Sequence, residues 1–306
     1  MATSAQGSAG IGRSVFVRGV VTTLLGAGLW GFSGACAQLL LSQYGLTPLF
    51  ITSVRMICAG ALFLVVILVT KRPALWALFK DRKALLQMGV FGSAGLFLCH
   101  ITYLVTIDYT NAGTATVLQC LGILFVMIYA CLRKKRLPSG REAAGLGLAL
   151  VATFVIATHG NPGSLAMPLP GLVWGLLAGL ASAFYIVYPK KLLDRWGSLL
   201  VTGVGMFVGG IAACIVVQPW TVVVSLDPGG IGALAVVIVV GTFGAFYLFM
   251  QGIKDIGPVR ASLLGAIEPV SATFFSWAWL GTVFPPIDFL GFAMMIAMVF
   301  FVVKTR

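Results

Sequence analysis

Ten apolar stretches, each about 17–25 residues long and therefore of membrane-crossing length, take up nearly the whole of this 306-residue chain. They run over about 19–41, 49–69, 84–107, 112–132, 142–159, 170–188, 198–217, 231–253, 259–281 and 286–303. In hydrocarbon every backbone amide must find its partner within the segment, so each stretch is predicted to be a helix crossing the bilayer. A water-exposed globular surface is excluded: charged residues make up 9% of the chain, against roughly 25% in an ordinary soluble domain.

The few charges fix the topology. Arg13 and Arg18 precede the first stretch, and Lys71, Arg72, Lys80, Arg82 and Lys83 separate the second from the third. Arg133, Lys134, Lys135, Arg136 and Arg141 follow the fourth, and Lys190, Lys191 and Arg195 the sixth. Lys254 and Arg260 follow the eighth, and Lys304 and Arg306 end the chain. With ten crossings, nineteen of the twenty basic residues lie on one side. The positive-inside rule predicts that side to be cytoplasmic, together with the tail 1–18 and the end 304–306. A nucleic-acid partner would need its cations on one solvated face. The +12 net charge is instead spread over six connections, and no nucleic acid is expected. The apolar run after Arg18 is too long for a signal-peptide core, so the amino terminus is expected to remain in the mature protein.

Several chemistries drop out. There is no G-x-x-x-x-G-K-[ST] loop for ATP, no Ser-His-Asp set and no pair of catalytic carboxylates. The six cysteines (Cys36, Cys58, Cys99, Cys120, Cys131, Cys214) all lie in apolar runs without a C-x-x-C pair, and read as small buried hydrophobes. Neither enzymatic activity nor a cofactor or metal is expected.

Sliding the chain by 146 residues superposes Gly95 on Gly241, Phe97 on Phe243, Ile107 on Ile253, Ala115 on Ala261, Leu118 on Leu264 and Gly145 on Gly291. Two five-helix repeats, 19–160 and 170–303, are therefore expected, the second inverted because five is odd. Inverted repeats mark secondary transporters, whose substrate site lies near the midplane between the halves.

Specific residues point the same way: Leu29-Trp30-Gly31-Phe32, the embedded Arg55, Tyr109-Thr110-Asn111-Ala112 and Ile267-Glu268-Pro269. With these the chain resembles the drug/metabolite transporter superfamily and, within it, the ten-helix EamA family. It departs from the family pattern at Thr282, at Arg136 and at Gly122-Ile123. The resemblance implies an all-α integral membrane fold of ten helices in two inverted repeats around a central cavity. Spans one, three, four, six, eight and nine would line that cavity, and spans two, five, seven and ten would be peripheral. It also implies alternating-access transport of a small organic metabolite, such as an amino acid or a drug-like molecule, in the direction of export across the cytoplasmic membrane.

Arg55, His100 and Glu268 are the ionisable side chains well inside a span, and each is costly enough there to be a functional candidate. Glu268 lies near the membrane centre, where it can answer to substrate or to a coupling proton; its other reading is a packing residue at the kink that Pro269 imposes. Pro269 is expected to free the Gly265 carbonyl. Arg55 lies at a depth about 11 Å different by helix rise and on a peripheral span, so it is expected to be a structural charge that snorkels toward the outer headgroups or reaches backbone carbonyls, with direct contact to substrate as its other reading. His100 and Tyr103, one turn apart, are expected to face the cavity with Trp30, Gln119, Tyr185, Phe243 and Tyr247. The spacing of Phe243, Tyr247 and Gln251 predicts one face of the eighth span. Such a lining suits a partly apolar metabolite. An uptake permease, an enzyme on a lipid-linked substrate and a scaffold without transport are the competing readings.

Overall fold

The protein is described by a computed structural model covering residues 13–133, 135–161 and 166–303. The expected tail segments 1–12 and 304–306 lie outside the described residues. The architecture is all-helical among the described residues: α1 (Arg13–Ser42), α2 (Pro48–Thr70), α3 (Arg72–Lys80), α4 (Arg82–Tyr109), α5 (Ala112–Arg133), α6 (Gly140–Thr158), α7 (Leu169–Trp196), α8 (Ser198–Val217), α9 (Pro228–Ile256), α10 (Pro258–Leu264), α11 (Ile267–Ala278) and α12 (Pro286–Val303). Seven of them (α1, α2, α4, α5, α7, α8 and α9) are long and apolar enough to cross a membrane, among the described residues.

Starts and stops follow local chemistry. Thr47, Asn111 and Asp227 each accept a hydrogen bond from a backbone amide three residues on, capping α2, α5 and α9. Several hydroxyls inside the helices are satisfied by the preceding turn: Thr23, Thr102 and Thr106 donate to the carbonyl four residues back. That keeps polar side chains tolerable in hydrocarbon.

Packing is by close backbone approach. α1 threads between α9 and α11, α2 lies against α8, α4 against α7 and α8, and α6 against α12. A Cβ built on Gly31 would lie 2.5 Å from the Ala272 amide nitrogen, and one on Gly26 2.8 Å from the Ala245 carbonyl. Small residues at such crossings bring backbones together where lipid provides no hydrophobic drive.

Two irregularities recur. Residues Phe91–Phe97 of α4 and Val236–Gly244 of α9 are wound as π-helix, and in the second of these Thr242 donates to the carbonyl of Val237, five residues back. α5 is interrupted at Cys120–Leu121, and the run from α10 to α11 at Gly265–Ala266.

Polar contacts tie both ends. At the end carrying the basic connections, Arg18 makes a two-pronged ion pair with Asp255 at 2.8 and 2.9 Å, Gln251 donates to the same carboxylate, and Arg195 pairs with Asp81 at 2.8 Å. At the opposite end, Gln38 accepts from the Ala112 amide at 2.9 Å and from Ser276 at 3.2 Å, and donates to Thr282 at 2.9 Å. Tyr44 donates to Asp227 at 2.6 Å.

The Tyr44 hydroxyl, with the Gly230 amide, holds the Asp227 carboxyl below the usual carboxylate range. A depressed carboxylate contributes stability that is present above its unfolded pKa and lost as pH falls through the folded value. We therefore expect the Gly230 amide to keep its hydrogen-exchange protection, corrected for intrinsic rate, from neutral pH down to about 4 and to lose it below. In Tyr44→Phe that loss should begin at higher pH.

Candidate functional site

Around the middle of the molecule, side chains from most of the long helices enclose two adjoining cavities of about 30 Å³ each. That is room for a water or two apiece. Trp30 and Ser33 come from α1, Arg55 from α2, Cys99, His100 and Tyr103 from α4, Gln119 from α5, Tyr185 from α7, Phe246 from α9 and Glu268 from α11. Trp30, Gln119, Tyr185 and Glu268 line both cavities and so join them.

Local structure explains the placement of Glu268. Pro269 has no amide hydrogen and crowds the preceding turn. The helix therefore breaks at Gly265–Ala266 and restarts at Ile267, with Glu268 in the first turn of α11, where the helix dipole favours a carboxylate. The Gly265 carbonyl, expected to be left free, is taken by the Glu268 amide at 2.9 Å in a tightened turn. The break exposes a charge, not an unpaired carbonyl.

An aromatic wall faces the carboxylate. Trp30 meets Phe246 edge-on with ring centroids 4.6 Å apart and Phe249 at 4.6 Å, and Tyr185 lies 6.3 Å from Trp30. His100 stacks on Phe246 at 4.7 Å with an interplanar angle of 19°. Gln119 donates weakly to the Cys99 sulfur at 3.5 Å.

Several buried polar atoms of this lining have no hydrogen-bond partner: Trp30 Nε1, Arg55 Nε, both ring nitrogens of His100, the Tyr103 hydroxyl and Gln119 Oε1. Buried polar groups are nearly always paired. So many unpaired groups converging on one place are the mark of a site that takes up a polar ligand or water.

Trp30, His100, Tyr103, Gln119, Tyr185 and Glu268 thus come together as the sequence suggests. Arg55 is buried, as a charge held inside a span would be. It is only 6% exposed and lines the same cavity as Glu268 instead of snorkelling to the outer surface. The depth of its Cα is a poor guide because the long side chain spans the gap. Phe243 and Tyr247, expected in the lining, are outside it: Phe243 packs on Phe63 at 4.4 Å, and Tyr247 is 37% exposed. Phe246 and Phe249 take their place. Within the regularly wound Ala245–Ile256 the buried face is Phe246, Phe249, Met250 and Ile253, and Tyr247, one residue on from Phe246, is turned away from it by about 100°.

Comparison with known proteins decides the family. The model of the EamA-like transporter family matches residues 17–158 and 169–304, almost the whole chain. The chain belongs to the EamA-like transporter family. It is 33% identical over 274 residues to the uncharacterized inner membrane transporter YicL of Salmonella typhimurium, with 90% of this chain and 91% of that protein covered. It is 24% identical over 277 residues to the S-adenosylmethionine/S-adenosylhomocysteine transporter of Chlamydia trachomatis, covering 86% and 82% of the two chains. A crystal structure with 16% sequence identity superposes with a TM-score of 0.67 over 95% of this chain and 96% of the other, which establishes a shared fold. As a member of the EamA-like family the chain is a multi-pass membrane transporter, and the family's work is transport, not catalysis.

Proposed function

We propose that this protein is a secondary transporter with ten membrane crossings in two inverted five-helix repeats, 19–160 and 170–303, and that it exports a small metabolite bearing both a carboxylate and an ammonium group. α10 and α11 would together make the ninth crossing, and α6 and α12 the fifth and tenth. The two separate stretches matched by the family support the duplication. So do the paired irregularities: a shift of 146 residues carries the π-helical 91–97 into 236–244, and the break at 120–121 to within one residue of that at 265–266. The basic connections support cytoplasmic chain ends in an inner or plasma membrane. The direction rests on the family resemblance.

The observation that carries the substrate class is Arg55 and Glu268 in one cavity with no ion pair joining them among the described residues. A ligand carrying its own carboxylate and ammonium can bridge the two, while Trp30, Tyr185 and Phe246 hold its apolar part. Amino acids have this chemistry, and so does S-adenosylmethionine, whose sulfonium also suits an aromatic wall; the chlamydial relative makes it the first nucleoside-bearing compound to try. The cavities are smaller than any such ligand, so loading requires the helices around them to part, as alternating access demands. A proton on Glu268 is the simplest coupling ion.

The test is a melting-temperature screen of the purified full chain against amino acids and S-adenosylmethionine, since a ligand at about 100 times its Kd stabilises the folded state by about 2.7 kcal/mol. A zwitterionic ligand should raise the melting temperature, and Arg55→Ala should remove the shift. Stabilisation only by compounds lacking one of the two groups would end the proposal. Efflux from preloaded proteoliposomes then separates export from uptake.

A further inference from the structure

A large groove of about 1130 Å³ lies between α5 and α7, with Gln87 of α4 at its edge. It is not part of the transport cavity. α7 turns Tyr185 and Ile186 towards the centre, whereas Leu180, Phe184, Val187 and Tyr188 line the groove. α5 divides likewise, with Gln119 and Ile123 inward, and Ile128, Tyr129 and Leu132 in the groove. These groove faces are open: Leu180 is 52% exposed and Leu132 72%.

The groove is chemically graded along its length. Towards the middle of the membrane it is apolar, with Phe125, Ile128, Leu180 and Phe184. At the end carrying the basic connections it is rimmed by Arg133, Lys190, Lys191, Tyr129 and Tyr188. The one acid there, Asp194, is already engaged by Lys190 at 2.7 Å, and Lys190 also donates to the Lys254 carbonyl. Arg133 and Lys191 are exposed and their charges are not offset within the rim. A second groove, between α11 and α12, supplies the contrast: it is lined by Val270, Phe274, Trp277, Phe289 and Phe292 and carries no charged residue.

We propose that the α5–α7 groove is a binding site for an anionic phospholipid of the cytoplasmic leaflet. Its phosphate sits between Arg133 and Lys191, with Tyr129 and Tyr188 at headgroup level, and an acyl chain runs along Ile128, Leu180 and Phe184. Basic pockets between transmembrane helices on the cytoplasmic side are suited to such headgroups, and aromatic side chains of this kind favour the interface. The site stands apart from the substrate cavity and does not depend on which metabolite is carried.

The test is native mass spectrometry of the full chain in detergent, titrated with phosphatidylglycerol, with phosphatidylcholine of the same acyl chains, and with inorganic phosphate. Phosphatidylglycerol should bind about 30-fold more tightly than phosphatidylcholine, as expected for two basic residues near a headgroup. Arg133→Ala/Lys191→Ala should bring the two lipids level, while Arg260→Ala, on the same membrane side but outside the groove, should keep the preference. Lys191→Ala alone, at an exposed position, should give a partial loss if the double variant is poorly folded. Equal binding of the two lipids, an unchanged preference in the double variant, or the same loss in Arg260→Ala would overturn the site. Phosphate binding as tightly as the lipid would show that the acyl groove plays no part, and would overturn it too.

Discussion

We expect Glu268→Gln to lower transport at least about 30-fold while leaving the folded protein intact. The amide is nearly the same size as the carboxylate it replaces and keeps the first turn of α11, so a monodisperse peak on size-exclusion chromatography is expected. What is lost is the charge opposite Arg55. Removing one partner of a desolvated charge contact costs about 2–5 kcal/mol, which is about 30- to 4000-fold in affinity. Flux in proteoliposomes should fall by at least the lower figure. Arg55→Ala should match it, and Arg55→Lys should recover little, because an ammonium lacks the planar guanidinium fork. Wild-type flux in Glu268→Gln would reduce Glu268 to a packing residue at a proline break and remove the basis of the substrate proposal. A proton-coupled cycle adds a second readout, since any stimulation of flux by an inward proton gradient should vanish in the same variant.

The second large effect concerns folding. Gly92, in the π-helical stretch of α4, and Gly209 of α8 meet backbone to backbone: a Cβ on Gly92 would lie 2.3 Å from the Gly205 carbonyl oxygen, and one on Gly209 2.4 Å from that of Gly92. Overpacking a core costs about 1–3 kcal/mol when side chains can move aside. Here the obstacle is main chain on both sides, and the two helices must separate along their length. Gly92→Val should therefore leave almost no folded protein after detergent extraction, measured as the monodisperse fraction of a fluorescent fusion. Gly89→Val, three residues away where nothing lies within 4 Å, should leave that fraction close to wild type.

Much of this was legible in the chain because lipid imposes few options. Hydropathy locates the apolar helices, seven of which are long enough to cross a membrane among the described residues, and polar residues inside apolar runs point to Trp30, His100, Tyr103, Gln119, Tyr185 and Glu268, which the structure gathers around two adjoining cavities. The misses have physical causes. Phe243, Tyr247 and Gln251 form one stripe at helical spacing and Phe246, Phe249 and Ile253 another, and spacing alone does not say which of the two faces the centre. Helix rise locates the Cα of Arg55 and says nothing about where a side chain of seven heavy atoms ends, so its place in the same cavity as Glu268 leaves no trace in the sequence. The pairing of Arg18 with Asp255 spans 237 positions and leaves no periodic trace. The recurrence of both irregularities near the 146-residue spacing is seen only in the structure.

Gln38 gives the end opposite the basic connections a distinctive property. Its carbonyl oxygen accepts from the amide of Ala112, one of the donors that the first turn of any helix leaves without an intrahelical partner. Pulling α1 away from α5 on that side strands this amide, at a cost of several kcal/mol if nothing but hydrocarbon replaces the lost oxygen. Only water can take over the bond as the gap widens. Opening at that end and wetting of the gap are then a single event, and the amide of Ala112 should exchange its hydrogen at the rate at which that end opens.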